Sequence, residues 1–152
     1  MAVKAIPEGF HSVTPYLGIK EAAQAIDFYK KAFNATEVMR LTRPDGGIGH
    51  AELRIGGSPI MLGTPCDQGP LQNPDSSPSV GLHLYVEDVD RMFAQAIAAG
   101  GAIISEVKDQ FYGDRTGSLK DPYGHVWFLA THKEDLTQEQ IEQRARELFQ
   151  QG

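Results

Sequence analysis

Apolar and polar residues alternate over short stretches, then switch to a three-to-four-residue spacing, and this succession runs twice along the chain. The alternation over Val13–Ile19 predicts a strand. Ala22, Ile26, Tyr29 and Phe33 then recur at intervals of four, three and four, which predicts an amphipathic helix ended by Asn34, a residue that tolerates left-handed geometry. Strands are predicted next over Thr36–Leu41, Gly49–Ile55 and Pro59–Leu62, with Gly56-Gly57 as a tight hairpin turn. The second half repeats the pattern. A strand over Gly81–Val86 leads to a helix with Val89, Phe93, Ala96 and Ile97 on one face, behind the N-cap candidate Asp88 and ended by Gly100-Gly101. Strands over Ala102–Val107, Arg115–Lys120 and His125–Ala130 follow, the last two joined by the turn Asp121-Pro122-Tyr123-Gly124. Each half reads βαβββ.

A shift of 67 residues lays Thr14 to about Thr64 over the second half without a gap, Leu17 on Leu84, Gly46 on Gly113, Gly57 on Gly124. Residues 65–80 contain four prolines and read as a linker. Thr137 and Gln140 form a capping box for a tail helix, with Leu136 placed to staple onto Ile141. Its stripe of Ile141, Ala145 and Leu148 either packs on its own domain or meets a second copy. The expected organisation is one α+β domain over 1–152: a module at about 11–64, the linker 65–80, a module at about 81–132, and a helix at about 137–150.

Composition narrows the function. With 152 residues, 41% hydrophobic and 22% charged, the chain has ordinary globular usage. Fourteen Lys and Arg against twenty Asp and Glu leave a net charge of −6, with no basic stripe for nucleic acid or an anionic membrane surface. No apolar run reaches the ~18 residues of a membrane span. The N-terminal residues show no signal-peptide pattern. The single Cys66 excludes an internal disulfide and a Cys-rich zinc site. The expectation is a cytoplasmic protein that acts on small molecules.

Two gap-free βαβββ modules in a chain of this length resemble the vicinal oxygen chelate superfamily, which includes glyoxalase I, extradiol dioxygenases, fosfomycin-resistance enzymes and bleomycin-binding proteins. The closer resemblance is to its PhnB-like branch. It is carried by Thr14-Pro15-Tyr16-Leu17, Ala25-Ile26-Asp27-Phe28-Tyr29 and His50-Ala51-Glu52-Leu53-Arg54-Ile55-Gly56 in the first half. In the second half it is carried by Leu82-His83-Leu84-Tyr85-Val86-Glu87-Asp88, Asp109-Gln110-Phe111-Tyr112-Gly113-Asp114-Arg115 and Asp121-Pro122-Tyr123-Gly124-His125-Val126-Trp127. The resemblance implies a glyoxalase/bleomycin-resistance-type fold, a homodimer and a small-molecule pocket. Metal-dependent members place His and Glu ligands on the first and last strands of each module. Here those positions hold Thr14, Met61, Gly81 and Phe128, which cannot supply such donors, so no cofactor is expected at the usual place.

Strand alternation indicates what lines the pocket instead. Tyr16 and His83 lie two residues beyond Thr14 and Gly81. A two-residue Gly56-Gly57 turn sets Glu52 opposite Met61 and His50 opposite Gly63, and the 67-residue shift adds Arg115 and Leu119. The expected lining is Tyr16, His50, Glu52, Met61, His83, Arg115 and Phe128. Three readings stay open. Tyr16, Met61, Arg115 and Phe128 bind an apolar or aromatic ligand. Alternatively His50, Glu52 and His83 act as acid–base groups or shifted ligands for a divalent metal in a lyase, isomerase or dioxygenase. Or His50 and Glu52 only satisfy each other. Asp114-Arg115 is either a structural ion pair or a gate at the pocket mouth. His50-Ala51-Glu52 with Pro65-Cys66 lacks the second cysteine of a zinc deaminase, Gly69 standing there.

Overall fold

The computed structural model describes residues 2–151. Module one contains β1 (Tyr16–Gly18), α1 (Ala22–Phe33), β2 (Thr36–Thr42), β3 (Ile48–Ile55) and β4 (Ser58–Gly63). Module two contains β5 (Gly81–Tyr85), α2 (Val89–Ala99), β6 (Ala102–Asp109), β7 (Asp114–Lys120) and β8 (Val126–His132), and α3 (Gln138–Gln150) follows. The sheets have matching orders, β1-β4-β3-β2 and β5-β8-β7-β6. In each the first strand runs parallel to the last, Tyr16 beside Met61 and His83 beside Phe128, 67 residues apart.

Strand β1 is shorter than the alternation over Val13–Ile19 predicts. It is an edge strand with β4 as its sole neighbour, and Pro15 has no N–H to donate, though its carbonyl still accepts from Met61. Both helices end as their sequences require: Asn34 adopts φ 57° and Gly100 φ 126°. The Asp88 side chain caps α2 by accepting from the Arg91 N–H, and Thr137 and Gln140 complete the capping box of α3.

The modules meet through their helices. Ala22, Ile26, Tyr29 and Phe33, the predicted face of α1, are all buried. They share one core with Ala51 and Leu53 of β3 and with Trp127 and Leu129 of β8. Trp127 packs its indole on Phe33 and Tyr29, ring centroids 4.5 and 5.2 Å apart. Gln95 of α2 donates to the carbonyls of Lys31 and Ala32 and to Asn34 Oδ1, completing the C-terminal end of α1. Both sheets therefore direct their helix-facing sides into the shared core. Their other faces, carrying Tyr16 and Met61 on one sheet and His83 and Phe128 on the other, look outward.

One expected orientation is corrected. Arg115 and Leu119 do not share a face with His83 and Phe128. Arg115 ion-pairs with Asp90 of α2, Leu119 is fully buried, and a Cβ on Gly117 between them would lie 3.0 Å from the Phe93 ring of α2. All three residues face the helix. The cause is a one-residue difference that the gap-free shift conceals. In β3 the register steps from Ile48 opposite Thr42 to His50 opposite Leu41, so Gly49 is an extra, bulged residue. Strand β7 runs from Arg115 opposite Asp109 to Thr116 opposite Lys108 with no such insertion. Module two recovers the missing residue in its hairpin, where Lys120 pairs with Val126 across a longer turn than the one closed by Ile55 and Ser58. Between bulge and turn every side chain is on the opposite face from the one the shift assigns.

Candidate functional site

On the outward face of module one the register brings four predicted residues together. Met61 lies between Tyr16 on one side and Glu52 on the other. The Tyr16 hydroxyl is 2.8 Å from His50 Nδ1, and His50 Nε2 is 3.2 Å from Glu52 Oε1. The rings of Tyr16 and His50 are tilted at 54° with centroids 5.4 Å apart. Alternation puts His50 on the side of Glu52, and the bulge at Gly49 lets Ile48 stay buried on the opposite side.

A cavity of about 460 Å³ adjoins Tyr16, between the ends of the module-one strands and the start of the linker. Its walls include Gly63, Thr64, Pro65, Pro70 and Leu71, with Arg43 and the exposed Cys66 among its polar members. The linker thus lines a cavity as well as joining the modules. Sequence reading treats residues 65–80 only as a connection, and their prolines carry no signal of which strands they cover.

On the outward face of module two His83 lies between Tyr85 and Phe128, with ring centroids 4.8 and 6.2 Å away. The structure adds a polar cluster that sequence reading misses. Asp114, nearly buried, accepts from the Tyr85 hydroxyl at 2.7 Å and lies 2.7 Å from His132 Nδ1, while His132 Nε2 is 2.7 Å from Asp135. Burial works against the charge of Asp114, but the hydrogen bonds from His132 and Tyr85 outweigh it and hold its carboxyl below the ordinary range. The same contacts, Asp114 first and Asp135 second, raise His132. Asp114 and Arg115, adjacent in sequence, point to opposite faces. Arg115 bonds Asp90 and Asp109, so the two residues form neither an ion pair with each other nor a shared gate.

The seven predicted residues therefore divide into three sets: Tyr16, His50, Glu52 and Met61 on one outward face, His83 and Phe128 on the other, and Arg115 beneath α2. His83 and Tyr85 border a groove of about 1100 Å³ whose far wall holds Arg54 and the Gly56-Gly57 turn. Among the described residues, no three His, Cys, Asp or Glu side chains come together as a metal site would need. His125 Nε2 sits 3.3 Å from the Gly18 carbonyl and braces β1.

Residues 9–129 match the Glyoxalase/Bleomycin resistance protein/Dioxygenase superfamily. The chain belongs to this superfamily. It is 40% identical over 136 residues to an uncharacterized protein of Mycobacterium tuberculosis, covering 86% of this chain and 80% of that one. Among solved structures it is similar to TioX from Micromonospora sp. ML1, with a TM-score of 0.65 at 24% identity over 80% of this chain and 98% of that one. It is similar also to a PhnB protein from Bacillus cereus, with a TM-score of 0.62 at 22% identity over 80% and 99% of the two chains. The fosfomycin resistance protein FosX from Listeria monocytogenes gives a TM-score of 0.64 at 18% identity over 86% and 97%.

Thr14, Met61, Gly81 and Phe128, where the family resemblance implies metal ligands, form a poor donor set for a hard divalent ion. Met61 and Phe128 hold the last-strand positions beside Tyr16 and His83, and Thr14 and Gly81 hold the first-strand ones. A thioether, a phenyl ring and a glycine offer no hard oxygen or imidazole donor, which leaves the neutral hydroxyl of Thr14 as the one oxygen among the four side chains. No helix among the described residues is long and apolar enough to cross a membrane.

Proposed function

We propose that this superfamily member is a PhnB-like small-molecule-binding protein that holds an apolar or aromatic metabolite or antibiotic without a metal centre. The observation that best supports this is the cavity of about 460 Å³ at Tyr16, whose walls are chiefly apolar. It is open rather than filled by side chains, and its volume falls in the range of roughly 300–1,000 Å³ usual for small ligands. Tyr16, Pro65, Pro70 and Leu71 supply apolar area, and Tyr16 links the cavity to His50 and Glu52, which lie behind it outside the lining. On the other outward face His83 and Phe128 offer a stacking surface. Sequestration, as in a resistance protein, is the role this arrangement serves best.

The second reading is a metal-dependent lyase, isomerase or dioxygenase with His50, Glu52 and His83 as shifted ligands. It is favoured by the closeness of His50 to Glu52. It requires His83 of another copy, because within one chain His83 belongs to the other sheet.

The protein acts as a homodimer in which a second copy covers the outward faces. The helix-facing sides of both sheets are occupied within the chain, whereas Tyr16, Phe128 and Tyr85 stay 41, 43 and 59% exposed. The tail stripe is secondary in this reading: Arg144 ties α3 to Glu134 and to the Phe111 carbonyl of its own chain, leaving Leu148 and Phe149 outside. The composition and the free Cys66 suit the reducing cytoplasm.

Two measurements on the purified chain test the proposal: mass spectrometry of extracted small molecules, and calorimetric titration with Ni, Zn, Mn and Fe(II). An extractable apolar ligand with no stoichiometric metal is expected. Stoichiometric metal binding that disappears in Glu52→Ala or His83→Ala would replace it with the second reading.

A further inference from the structure

We infer that the module-one pocket selects ligands whose polar end donates a hydrogen bond, because the Glu52–His50–Tyr16 chain presents the Tyr16 oxygen to the pocket as an acceptor. The inference rests on the reading of that cavity as a small-molecule site and specifies the class of ligand it takes. The polarity follows link by link. A carboxylate only accepts, so His50 Nε2 donates to Glu52 Oε1 across 3.2 Å. The other nitrogen of a neutral imidazole then has a lone pair alone, so Nδ1 accepts the hydroxyl proton of Tyr16 across 2.8 Å. A phenol has one proton. With that proton directed at His50, Tyr16, which lines the cavity, has only oxygen lone pairs left to offer a ligand there.

The neighbouring polar groups do not reverse this preference. Arg43 directs Nε to Asp45 at 3.2 Å and Nη1 to the Thr64 carbonyl at 3.1 Å, so its charge is matched and two of its donors are occupied. Thr64 Oγ1 accepts from the Ile48 N–H. The apolar walls formed by Pro65, Pro70 and Leu71 take the body of the ligand. The fitting class is a compact aromatic or apolar body ending in a hydroxyl, an amine or an amide N–H. A carboxylate would set its lone pairs against those of Tyr16, with the Glu52 charge behind them.

The test uses 2-naphthol and 2-naphthoate as matched probes in NMR titrations of the full-length ¹⁵N-labelled chain, followed at the amides of Gly63, Thr64, Gly69 and Leu71. Binding of 2-naphthol about ten-fold or more tighter than 2-naphthoate is expected, the scale of one hydrogen bond made against one opposed. Tyr16→Phe removes the acceptor and brings the ratio close to one. His50→Leu frees the Tyr16 proton to face the pocket and shifts the preference toward 2-naphthoate, a change that a purely structural histidine would not cause. If His50→Leu does not fold, Tyr16→Phe decides alone. Equal binding of both probes, or tighter 2-naphthoate, overturns the inference and leaves the pocket reading standing. If neither probe moves these amides at millimolar concentration, the pocket reading fails and the inference with it.

Discussion

The Tyr29 hydroxyl, on the helix of module one, donates a 2.6 Å hydrogen bond to Asp121 Oδ2 in the β7–β8 turn of module two. Trp127 Nε1 donates to the same oxygen at 3.0 Å, and the Tyr123 and His125 N–H groups donate to Oδ1 at 2.9 and 3.0 Å. Asp121 is 4% exposed, so a buried carboxylate gathers four donors and joins the modules at one point. Burial, and after it the charge of Asp121, raises Tyr29 well above the ordinary phenol value, so Tyr29 stays a donor.

Asp121→Ala leaves two buried side-chain donors and two turn amides without their acceptor. At about 1–3 kcal/mol for each stranded donor, some relieved by water, a loss of about 3–5 kcal/mol is expected. Urea unfolding of Asp121→Ala beside Tyr29→Phe checks this. Tyr29→Phe removes one bond of the four and is expected to cost about 1 kcal/mol. A loss in Asp121→Ala no larger than that in Tyr29→Phe would mean that the carboxylate does not hold the turn.

The corrected register of β7 separates binding from packing. Arg115→Ala leaves ligand affinity unchanged, since its guanidinium bonds Asp90 and Asp109 beneath α2. Gly117→Val forces a branched side chain against Phe93 and Val107 and destabilises the fold by about 1–3 kcal/mol through overpacking. Titration with an extracted ligand and thermal unfolding of both variants check these outcomes. A large affinity loss in Arg115→Ala would return that residue to the pocket.

The Asp114–His132 contact gives stability a pH dependence with two limbs. The folded-state pKa of Asp114 is lowered, so its contribution is present above the ordinary carboxylate range and lost as pH falls through the depressed value. That of His132 is raised, so its contribution is full below an ordinary imidazole pKa of about 6.5 and lost as pH rises through the raised value. The difference in urea-unfolding free energy between the wild type and His132→Gln is therefore expected to be largest near about pH 5–6 and to shrink toward about pH 9. A difference constant across that range would remove the ion pair from the account.

The dimer proposal predicts light-scattering mass at twice that of one chain at micromolar concentration. Phe128→Glu puts a charge on the outward face of module two and is expected to shift the protein toward monomer while thermal unfolding stays cooperative. Wild-type protein of single-chain mass would refute the assembly.

Read alone, the sequence determined the repeat, the order of the elements, the buried faces of both helices, and the caps at Asp88 and Thr137. These depend on local periodicity and on groups a few residues apart, which the chain carries wherever it goes. It also placed Glu52 opposite Met61, because a two-residue Gly56-Gly57 turn leaves one register, whereas Tyr16 on the other side of Met61 follows from the parallel pairing of β1 with β4. Tertiary structure decided what depends on counting residues between distant constraints. The bulge at Gly49 and the longer turn at Asp121 cancel in the alignment, so the repeat looks uninterrupted while β7 is turned over between them. That reversal put Gly117 and Leu119 under α2, and the unbroken alternation of β7 keeps Arg115 on their side and Asp114 on the other, with Tyr85 and His132. Packing of α1 against α2 and Trp127 sent the two outward faces apart, a choice made by helix and sheet surfaces that no spacing along the chain records.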